Sequence, residues 1–267
     1  MLLAIDIGNS YISCGIINIE TSIPSLVLSF RIASGVKRSS DEYGVLFNQI
    51  LNQSGLDASC ITCSAVSSVV PNLTEEILSA AHYFSSSNPF IIGPGTKTGF
   101  KIDIYNPADL GSDIVANVAG AYLYVKPPFV VFDAGTANTL TYVDKDNRLV
   151  GTVIAPGLGI SSEALSANAE LLKRTVINSS DIPLLGRNTD ESVRSGIILG
   201  TASMIDGFIR NIREKYVHKE DSEKLGLVAT GGNCEIITNH TRNKFNIQKS
   251  LTLLGISVLY IRNNCIV

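Results

Sequence analysis

The sequence predicts an α/β fold of two lobes, each a mixed sheet flanked by helices, the second lobe a copy of the first. Three observations predict it. Strand-like runs come in pairs joined by tight polar turns, which makes them hairpins. Runs of helical period follow each set of strands. The opening LLAIDIGNSYISCGII and the later FVVFDAGTANTLTYVD also share one plan: a buried strand ending in aspartate, a glycine two residues on, a small polar residue, then another strand. The lobes are expected over residues 1–115 and 116–267, with the last helix free to pack back on the first lobe.

In chain order, MLLAID reads as a buried strand that stops at Asp6-Ile7-Gly8-Asn9-Ser10, and YISCGIINI and SLVLSFRI read as the next two strands. Tyr43, Leu46, Phe47, Ile50 and Leu51 recur at helical spacing. ITCSAVSSVV reads as a strand, and NLTEEILSAAHYF, after Pro71, as a helix. Lys126-Pro127-Pro128 punctuates the middle of the chain. Beyond FVVFDAGTANTLTYVD come a strand in LVGTVIAPG and a helix in SSEALSANAELL, with Ser161 or Ser162 as its expected N-cap. A long helix is expected from Thr189, with Gly196 and Gly200 on one face where another backbone can approach. LGLVATGG reads as a strand and LTLLGISVLYIR as the final helix.

Composition narrows the function. Of 267 residues, 45% are hydrophobic and 17% charged, with a net charge of −3, which suits a globular chain and gives no surface for nucleic acid. No run approaches membrane-spanning length and no signal peptide is expected, so the chain reads as cytoplasmic. The five cysteines are expected as thiols. Cys60 and Cys63 form a lone CxxC in a strand-like run, where residues three apart face opposite ways, so both read as packed side chains. His82, His218 and His240 are isolated, and no P-loop, dinucleotide turn, nucleophile elbow or zinc helix is present.

What remains is aspartate and glycine at strand ends, the equipment of phosphoryl transfer. That chemistry needs backbone N–H groups near phosphate oxygens, a divalent metal, and a carboxylate facing the acceptor hydroxyl. Glycine turns expose N–H groups without side-chain obstruction, and carboxylates suit magnesium. Asp6 and Asp133 are therefore candidates to line a phosphate-transfer cleft, although each could simply shape its turn. Asp113 follows Pro107 and Gly111 where helical periodicity begins, at or near a helix N-terminus that would hold it ionised. A plain capping residue would look the same there.

At this point the order of motifs closely resembles the type III pantothenate kinase family, whose pattern runs DxGNT, NPxxxGxDR, DxGTAxT, IxPG, GxxT and TGG. Here these stand as Asp6-Ile7-Gly8-Asn9-Ser10, Asn106-Pro107 through Gly111-Ser112-Asp113-Ile114, Asp133-Ala134-Gly135-Thr136-Ala137-Asn138-Thr139, Ile154-Ala155-Pro156-Gly157, Gly186-Arg187-Asn188-Thr189 and Thr230-Gly231-Gly232. The resemblance implies a duplicated ribonuclease-H-like (actin-like) fold. It implies a homodimer that phosphorylates pantothenate with ATP and Mg2+, the first step toward coenzyme A. By motif position, Asp6, Ile7, Gly8, Asn9, Ser10, Tyr11, Ile12 and Ser13 face ATP, as does Thr136. Asp113 is the proton acceptor, and Asp133 binds K+ or NH4+. Gly111, Ser112, Asp113 and Ile114 contact pantothenate, together with Thr189 from the partner helix region and Tyr105.

Two positions depart from the pattern. Ile114 stands where the family has arginine, and Ile104, followed by Tyr105, stands where it often has tyrosine. Both fall on the acceptor side. Two alternatives therefore stand beside pantothenate kinase: a nucleotide-binding regulatory relative without catalysis, and a kinase of the same fold for another small acceptor. Arg187, beside Thr189, is a candidate to supply the missing positive charge.

Overall fold

A computed structural model describes residues 1–85, 87–169, 172, 181–217 and 224–264. His218, Cys265 and part of the expected SSEALSANAELL helix lie outside the described residues. The chain divides into two compact units. The first takes residues 1–101, 105–123 and 250–267, and the second takes 102–104 and 124–249.

The first unit is built on a five-stranded sheet. Strands β1 (Leu2–Ile7), β2 (Tyr11–Asn18) and β3 (Ser25–Ala33) form an antiparallel meander, and β4 (Cys63–Ser68) and β5 (Phe90–Ile91) add in parallel on the other side of β1. The order is β3-β2-β1-β4-β5. Leu3, Ile5, Ile7, Ile12, Cys14 and Ile16 meet Tyr43, Phe47 and Leu51 of helix α1 (Ser40–Gln53) and Ile77, Ala80 and Ala81 of α2 (Pro71–His82) in one core. Helix α1 starts at a capping box between Ser39 and Glu42, the reciprocal bonding that satisfies two orphan N–H groups. Helices α3 (Ser112–Ala121) and α7 (Leu251–Asn264) also belong to this unit and pack on each other, with α7 touching β1, β2 and β4. The expected division between residues 115 and 116 would cut α3; the units found here change after Leu123 because α3 packs along α7.

The α3–α7 crossing depends on two glycines. A Cβ on Gly120 would lie 2.5 Å from the Leu251 carbonyl oxygen. One on Gly255 would overlap the Ala116 carbonyl oxygen and sit 3.0 Å from the Gly120 nitrogen. Backbone therefore meets backbone here, which only residues without side chains permit.

The second unit repeats the plan. Strands β7 (Phe129–Ala134), β8 (Ala137–Val143) and β9 (Arg148–Pro156) form an antiparallel meander, and β10 (Gly226–Thr230) and β11 (Asn246–Ile247) add in parallel beyond β7. A short strand β6 (Lys101–Ile102) extends the edge at β9, giving the order β11-β10-β7-β8-β9-β6. Without β6 this is the strand order of the first sheet, so the expected duplication is present as topology. The core joins Val130, Phe132, Leu140, Leu227 and Ala229 to Ile197, Ile198, Ile205 and Ile209 of the long helix α5 (Thr189–Tyr216).

Two local expectations are corrected. Helix α4 (Leu158–Asn168) is capped at Gly157 and not at Ser161 or Ser162; the Ser161 N–H already donates to the Gly157 carbonyl, 2.9 Å, inside the first turn. Cys60 ends a short 3-10 turn (Ala58–Cys60) instead of lying in a strand, and only Cys63 opens β4. Both cysteines are free thiols, Cys63 buried and Cys60 half-buried. Burial, and then the nearby Asp6 charge, push the Cys14 thiol far above its ordinary range, which makes it an inert core side chain. No helix among the described residues is long and apolar enough to cross a membrane.

Candidate active site

In the first unit, β1 ends in a turn that closes by the Gly8 N–H donating to the Tyr11 carbonyl, 3.0 Å. The Ser34 hydroxyl donates to the Gly8 carbonyl at 2.7 Å, and the Ser34 N–H donates to the Ser10 carbonyl at 3.1 Å. This rigid turn exposes Asn9, Ser10 and Tyr11 and leaves Asp6, Gly8 and Ser13 half-buried. Ile7 and Ile12 are 0% exposed and serve the core, so only their backbone could meet a ligand.

Asp6 pairs across the sheet with Ser13 on β2 and with Ser67 on β4. The Ser67 hydroxyl donates to Asp6 Oδ1 at 3.0 Å and lies 3.0 Å from the Ser112 hydroxyl at the start of α3. Ser112 Oγ in turn accepts from the Ser68 N–H and reaches the Ser68 carbonyl, each at 3.0 Å. Asp113, the next residue, lies in the first turn of α3, whose N-cap is Gly111. Its Oδ1 accepts the Ile114 N–H at 2.8 Å and overlaps the place where a Cβ on Gly111 would stand. The bare Gly111 thus lets the carboxylate fold back over the helix start.

The helix start alone would keep Asp113 ionised at ordinary acidity. Burial outweighs it: desolvation raises the Asp113 carboxyl above the usual carboxylate range, and the N–H bonds of Ile114 and of its own backbone only partly offset this. Ile114 is 6% exposed, which leaves its backbone and not its side chain as the part that could reach a substrate. Tyr105 is fully exposed.

In the second unit, Asp133 is the penultimate residue of β7, paired with Thr139 on β8 and Thr230 on β10, the same station that Asp6 holds in the first sheet. The turn closes with the Gly135 N–H donating to the Ala137 carbonyl, 3.2 Å, and the Gly157 N–H donating to the Thr136 carbonyl, 3.1 Å. Gly231 has φ +90°, and a Cβ there would lie 2.5 Å from Asp133 Oδ1 and 2.6 Å from the Ala134 carbonyl oxygen. The bare Gly231 Cα therefore lets this backbone pack directly against the Asp133 carboxylate and the Ala134 carbonyl. Thr189 opens α5, whose N-cap Asn188 accepts the Glu191 N–H at 2.9 Å. Arg187, Thr189, Gly196 and Gly200 share a cavity of about 1000 Å3 with Pro156 and Ser161.

The amino-acid sequence matches a known family. The family model for type III pantothenate kinase covers residues 2–211. The chain belongs to the type III pantothenate kinase family. It is 35% identical over 263 residues to the type III pantothenate kinase of Geotalea daltonii, covering 98% of this chain and 99% of that protein. It is 36% identical to the type III pantothenate kinase of Pelobacter propionicus, covering 98% and 100%. Among solved structures it shares its fold with one described as a Baf family transcriptional activator of Campylobacter jejuni, with a TM-score of 0.58, 20% identity and 98% of each chain covered.

As members of this kinase family, such proteins use ATP with a divalent metal. Of the serines that join Asp6 to α3, Ser112 was assigned by motif to the acceptor, and Ser67 was not singled out in the sequence. Its signal was present: Ser67 and Ser68 end a buried strand just as Asp6 and Ile7 end β1.

Proposed function

We propose that this chain transfers the γ-phosphoryl group of ATP to the primary hydroxyl of pantothenate, the first step toward coenzyme A, with Asp113 as general base. The observation that carries the assignment is the Asp113 carboxylate, folded over the start of α3 and raised in pKa by burial. As the acceptor oxygen bonds to phosphorus, the bond from phosphorus to the ADP oxygen breaks and the acceptor proton passes to Asp113. A carboxyl with a raised pKa is a better base for that step than an exposed one. ATP enters as its magnesium complex, with its phosphates on the Asp6–Ser13 turn, while Thr136 is assigned to the nucleotide by motif. Gly111, Ser112 and the Ile114 backbone are assigned to the acceptor with Tyr105, and Arg187 beside Thr189 is the candidate for its carboxylate. The direct test is ADP release with pantothenate present or omitted. ADP release that does not depend on pantothenate would leave the regulatory or alternative-acceptor relatives as the better description.

Asp133 is the proposed site for a monovalent cation. The donor types fit: the Asp133 carboxylate and the Ala134 carbonyl oxygen both lie close against Gly231, hard oxygens suited to an ion that sheds water readily. When bound, such an ion would offset negative charge beside the second turn. The expected result is faster turnover in potassium or ammonium chloride than in sodium chloride at equal ionic strength. Equal rates in all three salts would remove the cation.

A second copy of the chain is the proposed occupant of the α5 cavity, making a homodimer in which Thr189 serves the partner's acceptor site. Leu184 and Leu185 are 78% and 82% exposed beside it, and a Cβ on Gly196 or Gly200 would meet nothing within 4 Å. In a monomer, Gly200→Leu should stabilise α5 by up to about 1 kcal/mol, because glycine is a poor helix former. In the homodimer the same change obstructs the seat. The expected outcome is a dimer mass by light scattering that falls toward monomer in Gly200→Leu; an unchanged mass with a raised unfolding midpoint would count against it. Free thiols at Cys14, Cys60, Cys63 and Cys234 fit a reducing compartment, so the proposed location is the cytoplasm.

A further inference from the structure

We propose that Ser67 and Ser112 are positioning residues that hold the Asp6 turn and the Asp113 end of α3 in one register. This rests on the assignment of Asp6 to the nucleotide and Asp113 to the acceptor. The link joins three segments far apart in sequence: the end of β1, the end of β4 and the start of α3. Ser67 is 0% exposed and Ser112 is buried, so water does not compete for the contact between them.

The direction of the chain follows from how many protons each group owns. An ionised Asp6 only accepts, so the single Ser67 hydroxyl proton goes to Asp6 Oδ1 at 3.0 Å. The 3.0 Å contact between the two hydroxyls can then use only the Ser112 proton, which it shares with the Ser68 carbonyl, also at 3.0 Å. Ser112 Oγ accepts from the Ser68 N–H, which completes a series running Ser68 N–H, Ser112 hydroxyl, Ser67 hydroxyl, Asp6 carboxylate. The Ser112 proton also lies within reach of the Ser68 carbonyl, so this hydroxyl is held against both backbone groups of one β4 residue. Because Asp113 is the next residue, any shift of Ser112 moves the base relative to the turn that carries Asp6.

The test uses Ser67→Ala, Ser112→Ala, the double alanine variant and Ser112→Thr, which keeps the hydroxyl. MgATP dissociation constants, kcat, both KM values and unfolding midpoints are measured for each. A hydrogen bond to a charged group sets the expected size: each alanine variant should weaken MgATP binding or lower kcat by about 10-fold. For Ser67→Ala the KM for pantothenate should change less than about twofold, whereas Ser112→Ala, at a residue also assigned to the acceptor, is judged by its MgATP dissociation constant; Ser112→Thr should stay near wild type, and the double variant should lose no more MgATP affinity than the worse single, because one series is broken once. A merely structural role would lower the unfolding midpoint while the properly folded fraction kept its kcat and MgATP affinity. That result overturns the proposal, as do losses that multiply in the double variant. Should the wild type lack pantothenate-dependent turnover, the acceptor assignment fails, and the MgATP dissociation constants still decide the role of the serines.

Discussion

Asp113→Asn is expected to lower kcat by about 10²–10⁴-fold, the range for general-base assistance, while MgATP binding stays within about twofold. The amide can still accept the Ile114 N–H, so the helix start keeps its 2.8 Å bond and only the ability to take a proton is lost. Stability gives an independent check. The folded-state pKa of Asp113 is raised by burial, so the fold binds this proton more tightly than the unfolded chain does. Its favourable contribution is fully present below the unfolded pKa and is lost as pH rises through the folded pKa. Near neutral pH the wild type therefore carries the cost of a buried charge that asparagine avoids. The variant should unfold at the same or a higher denaturant midpoint at pH 7, with the advantage shrinking in acid. In the wild type, the acid limb of kcat/KM should inflect above the ordinary carboxylate range. A variant that keeps a third or more of wild-type kcat would make Asp113 a capping residue.

Gly255→Ala is expected to destabilise the first unit by roughly 2 kcal/mol or more. Helix propensity argues the other way, since alanine in a helix interior is better than glycine by about 1 kcal/mol. Packing decides the sign here. The added carbon would overlap the Ala116 carbonyl oxygen of α3 and crowd the Gly120 nitrogen at 3.0 Å. Both are backbone atoms with no rotamer through which to yield, so α3 and α7 must move apart along the whole crossing. Since α3 carries Ser112 and Asp113, kcat should fall along with the denaturant midpoint. A midpoint equal to or above wild type would mean that the helices separate at little cost. The same substitution at Gly196, which faces open space within this chain, lacks that penalty.

Much of this architecture was legible in the chain because its signals are local. Strand runs ending in Asp6 and Asp133, each followed by a glycine turn, mark the two equivalent stations directly, and Thr189 marks the start of α5. Illegible features depend on partners distant in sequence. Strands β5, β6 and β11 are two residues each, too short for any period to register, and form only because a sheet edge is waiting for them. The start of α4 at Gly157 follows from the fit of that glycine against the Thr136 and Gly135 carbonyls, which the serines downstream do not reveal. The bond between Ser67 and Ser112 spans 45 positions, so no local pattern pairs the two. The burial that raises Asp113 is likewise a property of the packed unit, so the helix N-terminus taken alone pointed toward a more acidic group.

Helix α7 also sets an order of events during synthesis. It is the last described element of the chain, yet it lies against β1, β2, β4 and α3, with Leu253 Cδ1 3.1 Å from where a Cβ on Gly15 of β2 would stand. A ribosome releases residues 124–249 before it makes 251–264, so the second unit is complete in sequence while the first still lacks one wall. At about 5–20 residues per second, the apolar faces of β1 and α3 stay uncovered for the roughly 6–26 s of translation that separate Leu123 from α7. The unit that begins first thus finishes last, and the nascent chain depends on its final helix to hide the sheet with which it started.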